Sequence, residues 1–221
     1  VTFFQRLVAE TAEGQQALAR VPQIQDGLTG AISRETYIAY LTEAYHHVSH
    51  TVPLMQTARA GLDDAHDHFR LALDDYIEEE TGHERWILND IRHSGGNPEA
   101  VRQGEPREAT RRMVEFAYDY IATANPMGFF GMVFVLEGTS VSLATQGAEA
   151  VARNLDLGPE CFSYLTSHGA LDMEHLVFFQ KLMDEVTDPD DQAAIIEVAK
   201  AIFERFADVF RAIPHDRVAY V

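Results

Sequence analysis

Apolar residues recur along this chain at three- and four-residue intervals nearly everywhere. No run alternates with the period of two that a half-buried strand requires. The first helical stretch covers about residues 2–20 and stops before Val21-Pro22. A polar stretch, QDGLTGAIS, leads to Ser33, placed as the N-cap of a second helix over about 34–59 that Pro53 kinks. Gly61 separates it from a third, about 63–94, which Gly95-Gly96-Asn97-Pro98 ends. Further helices are expected over about 106–123, 127–154, 159–186 and 190–212; prolines at 126, 159 and 189 mark the starts of the last three. Seven helices with short connections predict an all-α antiparallel bundle. No repeat, low-complexity segment or long linker divides the chain, so residues 1–221 read as one helical domain.

Charge narrows the partners. A net charge of −18 and a pI near 4.8 count against nucleic acid and against an anionic membrane surface. The apolar share of 46% is ample for a core. The one cysteine, Cys161, excludes an intramolecular disulfide and a cysteine-built zinc or iron–sulfur site, and fits a reducing cytoplasm. No uninterrupted apolar run reaches the ~18 residues of a spanning helix. The N-terminal VTFFQRLVAE is amphipathic and lacks a signal-peptide pattern, so a cytoplasmic location is expected.

Against that background three groups of residues carry chemistry. His168, Asp172 and His175 are spaced four and three apart, so on a helix they share one stripe. Leu171, Leu176, Val177, Phe178 and Phe179 mark the surrounding helix as core-facing, with Glu174 on the solvent side. Such a stripe is either a metal-binding face or a hydrogen-bonded His–Asp pair. Glu80 and His83 repeat the carboxylate–imidazole step on an earlier helix, inside the acidic run DDYIEEETGHERW. There the alternative is a solvated face with an incidental histidine, and Glu79, four before His83, is a neighbouring candidate. Glu137 is a lone acid within GFFGMVFVLEGTSVSLA and needs a cation there, either a metal or an arginine. Carboxylate and imidazole one turn apart on two helices are how bundles build dinuclear iron or manganese sites.

Tyr45, His46, His47 and His50 form a histidine-rich cluster that could hold metal, surround the ligands, contact substrate or sit partly exposed. Phe129, Phe130, Met132, Phe134 and Tyr164 could line an apolar substrate pocket or be plain core. His66, His68, His93 and His215 read as surface residues.

The set Glu80-x-x-His83, Glu137 and His168-x-x-x-Asp172-x-x-His175, in helix order, resembles the haem-oxygenase-like diiron oxidases and oxygenases. Their bundle is shared with TenA thiaminase-like and PqqC-like proteins, and the similarity covers essentially the whole chain. The resemblance implies two Fe ions held by Glu80, His83, Glu137, His168, Asp172 and His175, with Mn or Zn able to occupy the same ligands in purified samples. It further implies O2 and a small-molecule substrate as reactants, no haem, and a homodimer. Haem oxygenases ligate haem through a first-helix histidine, and residues 1–20 contain none. Thiaminase-like members use a cysteine in the fifth-helix region, where this chain has Glu137. TenA-like pyrimidine hydrolysis, PqqC-like metal-free oxidation and small-molecule binding without chemistry are the competing functions.

Overall fold

The computed structural model describes residues 1–215, except for the side chains of residues 168–174. Among the described residues there are eleven α-helices, joined by turns and three short 3-10 segments. α1 (Phe3–Ala19) starts under a capping box, in which the Thr2 hydroxyl accepts from the Gln5 N–H and the Gln5 side chain accepts from the Thr2 N–H. α8 (Glu108–Thr123), α9 (Phe129–Leu155), α10 (Ser163–Asp184) and α11 (Pro189–Arg211) follow the apolar periodicity closely.

The expected seven helices become eleven through two breaks and two additions. The helix expected over 34–59 divides at Ser49-His50 into α3 (Arg34–Val48) and α4 (Thr51–Gly61). Pro53 falls in the first turn of α4, where its missing N–H would have had no intrahelical partner, so it causes no kink. The helix expected over 63–94 divides into α5 (Asp67–Glu80) and α6 (Glu84–His93). Gly82, at φ 96°, adopts the left-handed conformation that makes this break. The additions are α2 (Pro22–Thr29), in the stretch expected to be irregular, and α7 (Pro98–Gln103), capped by the Asn97 side chain. Ile24 and Leu28 lie one turn apart on α2 and pack into the core.

α9 is the axis of the bundle, flanked by α2, α10 and α11. A Cβ at Gly131 would stand 2.3 Å from the Ile195 carbonyl oxygen and 2.7 Å from the Ala199 nitrogen, so only glycine admits α11 this closely. By length and composition Pro126–Leu155 is apolar enough to cross a membrane, and more than half of its apolar eighteen-residue span is buried inside the protein.

Two apolar clusters support this arrangement. The larger joins α1, α4, α5, α8, α9, α10 and α11 through residues such as Leu7, Leu54, Leu73, Met113, Phe130 and Ile202. The smaller joins α3, α6, the end of α9 and the start of α10 through Tyr37, Leu41, Ile87, Ile91, Val151 and Phe162. Beside it Asp90 is fully buried and caps α10, accepting from the Ser163 N–H at 3.0 Å, the Ser163 hydroxyl at 2.5 Å and the Tyr164 N–H at 2.8 Å. Burial pushes the Asp90 carboxyl above its ordinary value, with these hydrogen bonds acting in opposition. After α11 the chain folds back over α2 and α3. The Thr36 hydroxyl donates to the Pro214 carbonyl at 3.0 Å, and His215 Nε2 lies 2.6 Å from Asp26 Oδ2.

Candidate metal centre

Glu80 closes α5 and His83 opens the next helix, so they do not share the unbroken helical face expected from their spacing. The Gly82 turn brings them together instead: His83 Nδ1 lies 2.9 Å from Glu80 Oε2. Both side chains are buried, and the His83 ring stacks on Trp86 with centroids 4.1 Å apart. Burial of a carboxylate beside an imidazole is favourable only with a shared proton or a cation between them.

Glu137 stands a third of the way along α9 and faces α10. Its Oε1 is 3.8 Å from His175 Nδ1. The other ring nitrogen of His175, Nε2, is 2.8 Å from Glu79 Oε2, so Glu79 takes part alongside Glu80. Tyr76, one turn before Glu80, places its ring edge-on to His175 at 5.7 Å. Tyr76 escaped the sequence reading, although its i−4 spacing from Glu80 puts it on the same helical face. His168 and Asp172, with Leu171 and Glu174, lie outside the described side chains. Among the described residues no three His, Cys, Asp or Glu side chains converge as a metal-binding group.

Glu80 and Glu137 line one cavity of about 70 Å³, together with His47, Thr51, Ser140 and Tyr164. Its remaining described walls are aliphatic, aromatic and methionine side chains, with no lysine or arginine among them. The donor chemistry fits a hard or borderline divalent metal such as iron, which accepts carboxylate oxygen and imidazole nitrogen together. The arginine alternative for Glu137 gains no support from these walls.

Other sequence candidates divide between cavity and core. His47 lines the cavity and meets Phe206 edge-to-face at 5.7 Å. His46 is buried beside Tyr45, its Nε2 without a hydrogen-bond partner among the described residues, and burial lowers its pKa against the pull of Glu43 and Glu105. His50 Nδ1 is 3.1 Å from the Tyr118 hydroxyl; burial lowers its pKa and His46 adds to the effect. Glu43 turns to α8, accepting from the Arg107 N–H at 3.1 Å and the Thr110 hydroxyl at 2.5 Å. Phe129, Met132 and Tyr164 reach the cavity wall. Phe130 instead packs in the core on Phe69, and Phe134 packs among Phe4, Phe179 and Phe203. The run after His175 is less core-facing than expected: Phe179 is buried, whereas Val177 and Phe178 are 55% and 41% exposed. His66 is also more engaged than a surface residue, bridging Asp63 at 2.7 Å and Asp191 at 2.9 Å. Cys161 is buried and its thiol is pushed up by burial, the reverse of what a nucleophile needs.

Comparison with known proteins completes the description. A family model described as iron-containing redox enzyme matches residues 38–206. A domain of unknown function with a haem-oxygenase-like fold from Shewanella denitrificans superposes with a TM-score of 0.86 at 22% identity, over 96% of this chain and 92% of that one. A TenA homologue from Pseudomonas syringae pv. tomato gives 0.77 at 12% identity, over 94% and 90%. Haem oxygenase-1 from the cyanobacterium Synechocystis, in complex with haem, gives 0.75 at 14% identity, over 96% and 91%. At these identities the structural likeness establishes the all-α haem-oxygenase-like fold. No curated protein matches the chain by sequence.

Proposed function

The chain belongs to the iron-containing redox enzyme family, and we propose that it is a non-haem diiron oxidase or oxygenase that uses O2 on a small organic metabolite. The observation that carries this reading is the pair of shielded acids, Glu80 and Glu137. Each stands beside an imidazole, and both line one cavity whose described walls hold no lysine or arginine. Glu80, His83, Glu137 and His175 would hold the metal, with His168 and Asp172 completing the set. Bound iron would supply the redox equivalents and a place for O2 to react.

The remaining work belongs to the chain. Glu79 Oε2 lies 2.8 Å from His175 Nε2, so it can accept from that nitrogen and would leave Nδ1, the nitrogen on the Glu137 side, to hold a metal. The Trp86 stack fixes the plane of the His83 ring. Phe129, Met132, Val133 and Leu136 exclude water around the acids, which strengthens every charge interaction in the cavity. His47, Thr51, Ser140 and Tyr164 are the other polar side chains lining this cavity and can orient a substrate. Haem ligation gains no support from α1, which has no histidine, and thiol-dependent hydrolysis gains none from the buried Cys161.

The test is an anaerobic Fe(II) titration followed by exposure to O2 under stopped-flow absorbance. The expected result is about two irons per chain, reduced in Glu137→Ala, with a transient visible band on oxygenation. Absence of iron uptake would overturn the reading.

A further inference from the structure

A larger cavity, about 150 Å³, adjoins the one that holds the acids and shares His47, Leu136, Ser140 and Tyr164 with it. It lies between α2, α3, α9 and the end of α11, with Leu28, Tyr40, Leu143 and Phe210 among its walls and Ile213 beyond α11. None of its described wall residues is Lys, Arg, Asp or Glu. Several of its polar groups are already committed to the protein. The Tyr37 hydroxyl donates to the Cys161 carbonyl at 2.8 Å, Thr36 donates to Pro214, and the Gln23 amide donates to Arg211 and Ile213 carbonyls. A charged group seated there would lose its hydration and find no counter-charge in the wall.

The geometry points to a substrate with an apolar body, a short alkyl chain or one small ring, carried in this larger cavity. Its single polar end lies at the shared wall of His47, Ser140 and Tyr164, next to Glu80 and Glu137. This assignment of substrate class rests on the proposed metal site. The size follows from the volume: about 150 Å³ is the space that a molecule such as benzene fills.

Gly27 and Gly147 set the reach of that body. Both line the cavity. A Cβ at Gly27 would meet nothing within 4 Å, and one at Gly147 would meet only Leu28 Cδ2, at 3.9 Å. Neither glycine is therefore demanded by packing, and neither has the positive φ that would require one. A larger side chain at either position projects into space that the protein leaves empty. Gly147 lies inside α9, where replacement of glycine by leucine also favours the helix.

The experiment measures binding of a series of straight-chain 1-alkanols by isothermal titration calorimetry. It compares the wild-type protein with Gly147→Leu, which narrows the cavity, and Leu143→Ala, which enlarges it. Affinity should rise about fourfold per added methylene and then level off near about six carbons. Gly147→Leu should move the plateau to shorter alkanols and weaken hexanol binding about tenfold or more, without lowering the melting temperature. Leu143→Ala should move the plateau to longer ones. Absence of alkanol binding, or a plateau indifferent to both substitutions, overturns the assignment. An Fe(II) titration on the same samples separates the two readings. Iron uptake without alkanol binding discards the substrate class and leaves the metal site. A plateau that follows both substitutions without iron uptake keeps the apolar pocket and discards the metal site.

Discussion

Glu79 shows how little of a side chain's role its own neighbourhood in the sequence reveals. It sits in a run of three glutamates and is 54% exposed, yet its carboxylate meets His175, some hundred residues later in the chain. Its exposure means that removing it costs the fold little, whereas it stands against the His175 ring nitrogen that faces away from Glu137. Glu79→Ala should therefore leave the melting temperature nearly unchanged and weaken Fe(II) binding by about ten- to a hundredfold, the usual cost of losing a partner of a metal-binding histidine. Unchanged iron affinity in that variant would remove Glu79 from the site. Glu137 stood out because a carboxylate among apolar residues needs a counter-charge, whereas Glu80 stood out only by its three-residue step to His83 within an acidic run. The choice between Glu79 and Glu80 was less legible. It depends on a backbone turn at Gly82 that redirects the chain immediately after them.

Elements were legible where the apolar stripe was long, as in α1, α8, α9 and α11, and illegible where a break leaves that stripe in phase. EEETGHERW contains no proline, so periodicity runs through the Gly82 turn as if the helix continued. α2 escaped because eight residues with two apolar anchors barely exceed one repeat of the pattern. The joints between elements carry their own consequences. Asp90 of α6 holds the start of α10, and with it Tyr164 at the cavity wall. Asp90→Ala strands two part-buried N–H groups and a hydroxyl, and should cost about 1–3 kcal/mol in urea unfolding. A loss below about 0.5 kcal/mol would mean that water replaces the cap. His66 ties the turn before α5 to the start of α11 through Asp63 and Asp191. Burial lowers its pKa, but the hydrogen bonds to Asp191 and Asp63 outweigh that and leave it raised above 6.5. The protonated ring therefore stabilises the fold below pH 6.5, and this contribution is lost as pH rises through the folded-state value. Thermal melts between pH 6 and 8 should show a decline that His66→Asn lacks; equal slopes in the two proteins would exclude the latch.

At the scale of the whole molecule, a TM-score of 0.86 at 22% identity shows how freely such a bundle exchanges its residues while keeping its helix packing. That tolerance is why the fold class could be read from periodicity, and why fold alone assigns no chemistry. The placing of Glu80 and Glu137 at one cavity lies on a different footing, because it depends on how α5 and α9 pack rather than on any one segment. Glu80 and Glu137 line one cavity because of that packing. A metal that binds only the folded chain should add to its stability. At about a hundredfold excess of free Fe(II) over its dissociation constant the gain is about 2.7 kcal/mol, which for a chain of this size raises the melting temperature by about 5–10 °C. Anaerobic differential scanning calorimetry with and without Fe(II) measures this directly, and a chelator should reverse it. Glu137→Ala should lose most of that gain, so that Fe(II) raises its melting temperature little. A full-sized Fe(II) shift in that variant would remove Glu137 from the metal site.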